Sequence, residues 1–445
     1  MKIIRPIHTT FLEEASNWLQ DLKDTEVRQN RYVLILEIDN GLLLWNTLTL
    51  GLVWLNNLSA KEWNDNLLDS DLISQLKSQW FYVPVDFNEP LFLQQMLIRQ
   101  KQNFTPRTKY TILTTLHCNA NCDYCYERHG NFVRKSMTDS VAHMVAGFIN
   151  DNSKGNKIKL EWIGGEPLLN TKAVDLICRD LKNSRINFES GLISNGLLMN
   201  GPLINQAIDL WNLKSIQITI DGTKKVYNTI KNYSGNISNP FNRILTNIAT
   251  ILNAGIHLNI RLNLSSTNAE DLEKLIHLLV NRFPDTSKYL IYVSLLEQEM
   301  HCDNQEILNK NLNNWIYLAG LLSEKGFLQW PLDCSWPLNK CIADNDNCHV
   351  ISPIGNLYRC EEISTEEAVG HLTTGITDPQ KAAKWKVTNK TSECNDCPIN
   401  PVCFNLLYCP ADLTCNSLTK SIDIWKRILA MKTEYNTFIN KHSTN

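Results

Sequence analysis

The chain has 445 residues, of which 43% are hydrophobic and 20% charged. This composition supports about three folded domains and excludes a largely disordered chain, because it supplies enough apolar surface for buried cores. A formal net charge of −3 gives no electrostatic reason to expect a nucleic acid or an anionic membrane as partner. The amino terminus lacks a secretory apolar segment, and no run reaches the roughly 18 apolar residues of a membrane helix. We therefore expect a soluble, cytoplasmic protein with reduced thiols.

Residues 1–105 are predicted to form a small, separate α+β module of winged-helix-like order. Apolar runs with β-branched residues flank Asp39-Asn40-Gly41, a sequence typical of a hairpin turn. The predicted elements are strands at 31–38 and 42–46, helices near 48–57 and 67–79, and a closing strand at 81–85. The module contains no cysteine, and no residue in it indicates catalysis.

Residues 106–300 alternate strand and helix patterns, which predicts repeated βα units and a parallel sheet. The predicted strands are Tyr110–Leu116, Lys157–Trp162, Asn187–Ser194, Ser215–Asp221, His257–Leu264 and Tyr289–Leu296. The predicted helices lie near 137–150, 171–184, 201–211, 240–254 and 269–282. Six strands are fewer than the eight of a closed TIM barrel, so we expect a partial (β/α)6 barrel with its site at the carboxyl ends of the strands.

The remaining third of the chain is predicted to be a connector followed by a cysteine-rich domain. Residues 301–340 form the connector, with a helix near 305–325. Residues 341–445 hold eight cysteines, from Cys341 to Cys415, and then a helix at about 419–440. The cysteine-rich part has little hydrophobic periodicity, so we expect it to need bound metal for its stability.

A first cysteine cluster follows directly after the first predicted barrel strand. Cys118, Cys122 and Cys125 have the spacing Cys-x3-Cys-x2-Cys. Three thiolates can hold three irons of a [4Fe–4S] cluster and leave the fourth iron open for a small molecule. The alternatives are a zinc site completed by a distant His, or free cysteines in a core.

This motif resembles the signature of the radical S-adenosylmethionine (radical SAM) enzymes, in which an aromatic residue such as Tyr124 precedes the last cysteine. Gly164, Gly165, Glu166 and Pro167 follow the second predicted strand and resemble the family motif that binds the amino group of S-adenosylmethionine. Glycines permit close backbone approach, and a carboxylate suits an ammonium group. Alone, the same four residues would read as an ordinary β-turn.

Three further polar residues end the next two predicted strands. Ser194 and Asn195 end the third strand, where the family places polar groups near the ribose and carboxylate of the cofactor, and Asp221 ends the fourth in a run similar to a family pattern. Asn-Gly and Asp-Gly are also common turn sequences, which is the alternative for both sites. Arg261 and Asn263 lie on the fifth strand, where either faces the cofactor or Arg261 makes a structural ion pair.

The radical SAM resemblance implies a specific chemistry. The open iron would chelate the methionine part of S-adenosylmethionine, and one-electron reduction would yield a 5′-deoxyadenosyl radical that abstracts a hydrogen atom from substrate. An external electron donor such as flavodoxin or ferredoxin is implied. The protein itself would supply positioning and exclusion of water.

Eight cysteines in the carboxyl-terminal part are enough for two further four-ligand [4Fe–4S] clusters, with zinc ribbons as the alternative. This segment resembles the SPASM domain. Carried over from that family, the first auxiliary cluster would be held by Cys341, Cys348, Cys360 and Cys409, and the second by Cys394, Cys397, Cys403 and Cys415. The spacing from Cys403 to Cys409 is longer than in the family, and Cys334 is an alternative to Cys341. Three [4Fe–4S] clusters are thus expected in total.

The domain set resembles SPASM enzymes that modify peptides, and residues 1–105 resemble the modules that bind the leader of a precursor peptide by strand addition. The alternative for residues 1–105 is a plain dimerisation or packing domain. The implied function is a thioether or carbon–carbon crosslink in a ribosomally made peptide. The alternatives are a formylglycine-forming enzyme like the anaerobic sulfatase maturases, or a non-catalytic iron–sulfur or peptide-binding protein. Glu361 directly follows Cys360 and is the candidate proton acceptor. A chain that begins near Phe104 is expected to bind its clusters and to cleave S-adenosylmethionine slowly.

Overall fold

The computed structural model describes twelve stretches of the chain: residues 1–15, 26–65, 67–103, 108–129, 134–153, 157–296, 299, 304–327, 342–361, 367–385, 392–403 and 417–442. The predicted ligands Cys341, Cys409 and Cys415, and the alternative Cys334, lie outside them. Among the helices in these stretches, none is long and apolar enough to cross a membrane.

The amino-terminal module is built on a four-stranded antiparallel sheet in the order β1-β5-β4-β3, with a separate two-stranded sheet of β2 and β6. Its elements are β1 (Lys2–Arg5), α1 (Thr9–Ala15), β2 (Val27–Gln29), β3 (Val33–Ile38), β4 (Gly41–Asn46), β5 (Leu52–Asn56), α2 (Asn57–Asp65), α3 (Ser70–Ser78), β6 (Tyr82–Pro84) and α4 (Glu89–Asn103). The predicted hairpin and the strand within 81–85 are confirmed.

The helix predicted near 48–57 is wrong, because residues 52–56 form the central strand β5 between β4 and β1. Leu50 has a φ of 62° in the turn that reverses the chain after β4. The helix begins only at Asn57, and the side chain of Asn56 accepts a hydrogen bond from the backbone of Ser59 at 3.0 Å. Apolar residues on both faces of this strand produced the misleading amphipathic pattern.

Both faces of the four-stranded sheet are covered. One face packs with α2 and α3 through a cluster that includes Leu44, Trp63 and Leu76. The other face packs with residues that are distant in sequence, including Ile399, Val402 and the carboxyl-terminal helix. The sheet has its own elements but shares one of its two cores with the cysteine-rich part of the chain.

Six parallel strands form the barrel sheet, in the simple order β7-β8-β9-β10-β11-β12. They are β7 (Lys109–Thr115), β8 (Ile158–Gly164), β9 (Phe188–Ser194), β10 (Leu213–Thr219), β11 (His257–Leu264) and β12 (Tyr289–Leu295). The helices are α5 (Tyr126–His129), α6 (Asp139–Asn152), α7 (Thr171–Asn183), α8 (Gly201–Asp209), α9 (Lys224–Lys231), α10 (Pro240–Asn253) and α11 (Ala269–Arg282). The predicted partial barrel is confirmed, and α9 is an additional helix that the sequence patterns did not indicate.

The carboxyl-terminal part extends the same sheet. Strand β13 (Cys348–Ile351) pairs in parallel with β7, and β14 (Asn356–Tyr358), β15 (Gly370–His371) and β16 (Gly375–Ile376) follow in antiparallel order. Helices α12 (Gln305–Glu324), α13 (Pro379–Lys384) and α14 (Ser417–His442) complete the described elements. Val350, Tyr358 and Trp385 pack with Leu113 and Ile163 of the barrel, so this segment is integrated into the barrel core.

Candidate active site

The Cys118–Cys125 loop leaves the carboxyl end of β7, as predicted. Its three cysteines are half-buried and form no disulfide bond. The backbone N–H of Ala120 donates to Sγ of Cys118 at 3.4 Å, and Nδ2 of Asn195 lies 4.0 Å from the same sulfur. Burial raises the pKa of Cys118 to about 12, so a thiolate here requires compensation by bound metal or N–H donors.

These features fit an iron–sulfur cluster. N–H donors directed at a ligand sulfur are among the ways in which a protein stabilises and tunes such a cluster. Across the described ranges, no three His, Cys, Asp or Glu side chains converge on the position of one metal ion. Cluster ligands need no such convergence, because each thiolate binds a different iron. Cys118, Cys122 and Cys125 would hold the cluster.

Gly164 and Gly165 bring the end of β8 against the start of the cysteine loop. Gly164 has a φ of 132°, and a Cβ added there would lie 2.2 Å from the carbonyl oxygen of Thr115. A Cβ on Gly165 would lie 2.4 Å from the carbonyl oxygen of His117. Hydrogen bonds from Gly165 N–H to Thr115 and from Glu166 N–H to His117 close this contact. Both positions therefore require glycine, because a Cβ would clash with the backbone of the segment Thr115–His117.

Glu166 connects the ends of β8 and β9. Its carboxylate is fully buried and accepts hydrogen bonds from Oγ of Ser194 at 2.8 Å and from the backbone N–H of Asn195 at 2.9 Å. It also accepts from the N–H of Leu168, in the short 3-10 turn that Pro167 begins. Burial raises the pKa of Glu166 to about 6 against these bonds. The four predicted residues Gly164, Glu166, Ser194 and Asn195 thus lie together.

Asn195 joins this group to the cysteine loop. Its Nδ2 donates to Oδ1 of Asn119 at 2.7 Å, and its Oδ1 accepts from the N–H of Leu197. The loop is consequently held by β9 as well as by β8.

Tyr124 and Asp221 contact each other directly and share a buried cation, Lys231, that sequence reasoning missed. The hydroxyl of Tyr124 donates to the Asp221 carboxylate at 3.0 Å, and Nζ of Lys231 lies 2.8 Å from that carboxylate and 3.1 Å from the Tyr124 oxygen. The Lys231 side chain is only 4% exposed. Burial lowers the pKa of Lys231, but the charge of the Asp221 carboxylate outweighs burial and raises this pKa well above its ordinary value. Lys231 lies at the end of α9, a helix that was not predicted.

The segment after α9 also binds the cysteine loop through its backbone. The N–H of Asn121 donates to the carbonyl of Lys231 at 2.8 Å, and the N–H of Ser234 donates to the carbonyl of Asn119 at 2.8 Å. Nδ2 of Asn121 donates to Oγ of Ser234 at 2.8 Å. The cysteine loop is thus attached to β8, β9 and the segment that follows β10.

Glu127 is a second residue that the sequence did not indicate. It lies two positions after Cys125, is 8% exposed, and has a pKa raised to about 7 by burial and by the nearby carboxylates of Glu166 and Glu361. The predicted proton acceptor Glu361 is half-buried directly after Cys360, and its charge also raises the pKa of Lys109. The two carboxylates are therefore electrostatic neighbours.

The predicted auxiliary ligands lie in two places. Cys348 begins β13, and the register that pairs Val350 with Tyr358 sets Cys360 opposite it. Cys394, Cys397 and Cys403 share the loop 392–403, where the N–H of Cys397 donates to the carbonyl of Cys394 at 3.2 Å. Cys348 and Cys360 belong to the first ligand set that the SPASM resemblance implies, and Cys394, Cys397 and Cys403 belong to the second.

Residues 112–279 match the profile of the Radical SAM superfamily. This range includes both the Cys118–Cys125 loop and the Gly164–Pro167 motif. The fold and the site agree with this match, so residues 112–279 form a radical SAM domain. The Radical SAM family implies a [4Fe–4S] cluster and S-adenosylmethionine as cofactors.

Two known proteins have similar sequences. An uncharacterized protein of Methanocaldococcus jannaschii is 25% identical over 292 residues, which cover 63% of this chain and 93% of that protein. The radical SAM cyclopropyl synthase TigE of Paramaledivibacter caminithermalis is 24% identical over 141 residues, which cover 26% of this chain and 29% of TigE.

The solved structures with similar folds include the following two. One is anSMEcpe with bound AdoMet and the Cp18Cys peptide, with a TM-score of 0.55 at 15% identity, covering 75% of this chain and 99% of that one. The other is SuiB of Streptococcus suis bound to the precursor peptide SuiA, with a TM-score of 0.51 at 12% identity, covering 87% of this chain and 96% of that one. Likeness at these identities concerns the fold.

Proposed function

We propose that the protein is a radical SAM maturase that installs an intramolecular thioether or carbon–carbon crosslink in a ribosomally made precursor peptide. The observation that carries the proposal is the amino-terminal sheet joined to a radical SAM barrel. Strand β3 pairs only with β4 among the described residues and carries Ile35, which is 43% exposed. An open strand edge with an apolar side chain suits the addition of an extended peptide, whose backbone supplies the hydrogen bonds.

The similar proteins support a peptide substrate. SuiB is bound to a precursor peptide and anSMEcpe to a peptide in their structures. The fold match to SuiB covers 87% of the chain, so it must include part of residues 1–105, which make up about a quarter of the sequence. The match to anSMEcpe covers 75% and has no need to include them.

The residues of the barrel would act by positioning the cofactors. Cys118, Cys122 and Cys125 would hold the cluster, with Asn195 and the Ala120 N–H directed at Cys118. Gly165 and Asn195, whose N–H groups donate to Thr115 and Glu166, would present their backbone carbonyl oxygens to S-adenosylmethionine. When bound, these cofactors supply a 5′-deoxyadenosyl radical that abstracts a hydrogen atom from substrate.

The decisive experiment for this function is mass spectrometry of short peptides encoded beside the gene after co-expression with the enzyme. A crosslink predicts the loss of two hydrogens, localised by fragmentation to two residues of one peptide. The absence of any modified peptide, under conditions in which the enzyme cleaves S-adenosylmethionine, would reject the proposal.

A formylglycine-forming activity is the second candidate, because anSMEcpe shares the barrel fold. Such an activity would act on a Cys or Ser of a sulfatase and would not require the open edge of β3. Incubation with a sulfatase peptide and with a precursor peptide distinguishes the two activities by product mass.

We expect about twelve irons per chain after anaerobic reconstitution, four for each of three clusters. Replacing Cys118, Cys122 and Cys125 together with Ala should remove about four irons and abolish 5′-deoxyadenosine formation, because these ligands hold the cluster that binds the cofactor. Replacing the buried Cys178, which lies in α7, with Ala serves as the control. A total of four irons with zinc in the remaining sites would contradict the auxiliary clusters.

Glu361 is proposed as the acceptor of the substrate proton. The variant Glu361→Gln should keep 5′-deoxyadenosine formation and lose crosslinked peptide, because hydrogen-atom abstraction precedes the proton transfer. The exposed Glu367 offers a matched control in Glu367→Gln. Undiminished crosslinked product from Glu361→Gln, measured by mass spectrometry, would remove Glu361 from the mechanism.

A further inference from the structure

The inner face of the barrel sheet carries a group of polar side chains on β10, β11 and β12. Side chains at alternate positions of β10, β11 and β12 are apolar and buried against the helices; they include Ile218, Ile260 and Ile291, which are neighbours in register. The alternate positions between them must point to the inner face, because successive side chains of a strand point to opposite faces.

On β7, β8 and β9 one register row of the inner face is apolar and covered. Leu113 and Ile163 are register neighbours, and Ile193 packs with them. Val350 and Trp385 of the carboxyl-terminal segment belong to the same cluster. At the level of this row the barrel interior is therefore occupied by the chain itself.

On β10, β11 and β12 the inner face is polar and half-exposed. Thr219, Arg261 and Tyr292 form one register row across the three strands. The Tyr292 hydroxyl donates to Oε1 of Gln217 at 2.8 Å, in the next row. We name Thr219, Arg261, Tyr292 and Asn263 the polar row.

Two atoms of the polar row lack partners. Nε of Arg261 is buried and without a hydrogen bond, and within the described residues its guanidinium makes no ion pair. Asn263, on the same face two residues later, is 4% exposed, and its Oδ1 has no donor. A buried polar atom without a partner costs about 1–3 kcal/mol. A guanidinium and an amide oxygen left open on the inner face of a barrel therefore point to a ligand that supplies both an anion and an N–H group.

We propose that Arg261 and Asn263 bind an acidic residue of the peptide substrate, Arg261 taking its carboxylate and Asn263 its backbone N–H. This inference rests on the proposed peptide substrate and adds its chemical class. Arg261 suits a carboxylate because its planar donors match the two carboxylate oxygens. The other carboxylate available in a radical SAM enzyme belongs to S-adenosylmethionine, and the affinity of an Arg261 variant for that cofactor distinguishes the two ligands.

The test uses the fully reconstituted enzyme with S-adenosylmethionine bound and a capped aspartate, N-acetyl-aspartate N-methylamide, as probe. Its binding is measured by ligand-observed NMR against the matched capped asparagine. We expect the wild-type enzyme to bind the aspartate probe at least about tenfold more tightly than the asparagine probe, as for a charge-assisted hydrogen bond. Arg261→Gln should remove this preference and Arg261→Lys should retain part of it. Lys274→Gln, an exposed charge change on α11, should have no effect.

Three results would overturn the proposal. The first is equal binding of the two probes by the wild-type enzyme, and the second is a preference that survives in Arg261→Gln. The third is a tenfold loss of S-adenosylmethionine affinity in that variant, which would assign Arg261 to the cofactor. An Arg261-dependent preference in an enzyme that modifies no peptide would uphold the carboxylate site and reject the maturase function. Peptide modification that proceeds equally well in Arg261→Gln would reject the carboxylate site and uphold the maturase function.

Discussion

Replacing Lys231 with Met should lower the free energy of unfolding by about 3–5 kcal/mol, because it leaves the Asp221 carboxylate buried without its cation. The two side chains are 4% and 1% exposed and 2.8 Å apart. The same change should weaken the attachment of the cysteine loop, since the Tyr124 hydroxyl contacts both members of the pair. We expect the midpoint of urea unfolding of the apo chain to fall, and the reconstituted variant to lose iron from the Cys118–Cys125 site.

Three variants distinguish a role of Lys231 in positioning the cysteine loop from a general loss of stability. Lys231→Arg keeps the charge and should restore most of the iron. Lys231→Met combined with Asp221→Asn removes both charges and should be more stable than Lys231→Met alone. Lys172→Met breaks an exposed pair with Asp139 and should cost less than about 1 kcal/mol. An unchanged electron paramagnetic resonance signal and iron content in Lys231→Met would contradict a role for the pair in positioning the loop.

The pH dependence of this contribution has a definite sign. The folded-state pKa of Lys231 is raised above its ordinary value of 10.5. A raised lysine pKa contributes stability that is fully present below the unfolded-state pKa and is lost as the pH rises through the folded-state pKa. The stability difference between wild type and Lys231→Met should therefore be constant from pH 6 to pH 9 as far as Lys231 is concerned. Urea unfolding at two pH values in this range checks it.

The barrel was predictable because its signals are local. Apolar runs followed by helical periodicity mark each βα unit, and the six strands lie within a few residues of their predicted bounds. The motifs at the carboxyl ends of β7, β8 and β9 were placed correctly because parallel strands bring those ends together. Residue type and position along the chain were enough for this part of the site.

Lys231 and Glu127 were missed because their burial depends on tertiary packing. A lysine at the end of a short polar helix is usually solvated, and nothing local shows that Asp221 and Tyr124 enclose it. The partners of Glu166 also depend on tertiary packing and could not be predicted from the sequence. Its residue type suggested an ammonium partner, whereas in the structure its oxygens bind Ser194 and two backbone N–H groups. The addition of β13 to the edge of β7 also has no local signal, since it is a long-range pairing.

The packing of residues 1–103 changes what their removal should do. The loop that holds Cys394, Cys397 and Cys403 binds the amino-terminal module through three polar contacts: Thr47 Oγ1 donates to the carbonyl of Pro398 at 2.5 Å, Nδ2 of Asn400 donates to the Tyr32 hydroxyl at 3.3 Å, and Arg31 pairs with Asp396 at 2.9 Å. Ile399 and Val402 lie in the same apolar cluster as Trp45. From sequence alone the module was expected to be dispensable for cluster binding, and these contacts argue against that expectation.

Deleting residues 1–105 should therefore remove about four irons, those of the Cys394–Cys403 site, as well as peptide binding. The contacts of the Cys118–Cys125 loop described above are all with the barrel, so S-adenosylmethionine cleavage should persist if the deleted chain stays soluble.

The full-length variant Tyr32→Phe with Thr47→Val removes two of the polar contacts and leaves the apolar core in place. It should lose iron from the Cys394–Cys403 site faster under a chelator, with an unchanged rate at the Cys118–Cys125 site. Because linkage is reciprocal, replacing Cys394 and Cys397 with Ala should lower the thermal stability of the amino-terminal module. A deletion that keeps about twelve irons, together with wild-type rates of iron loss in the double variant, would show that the module and the loop are energetically independent.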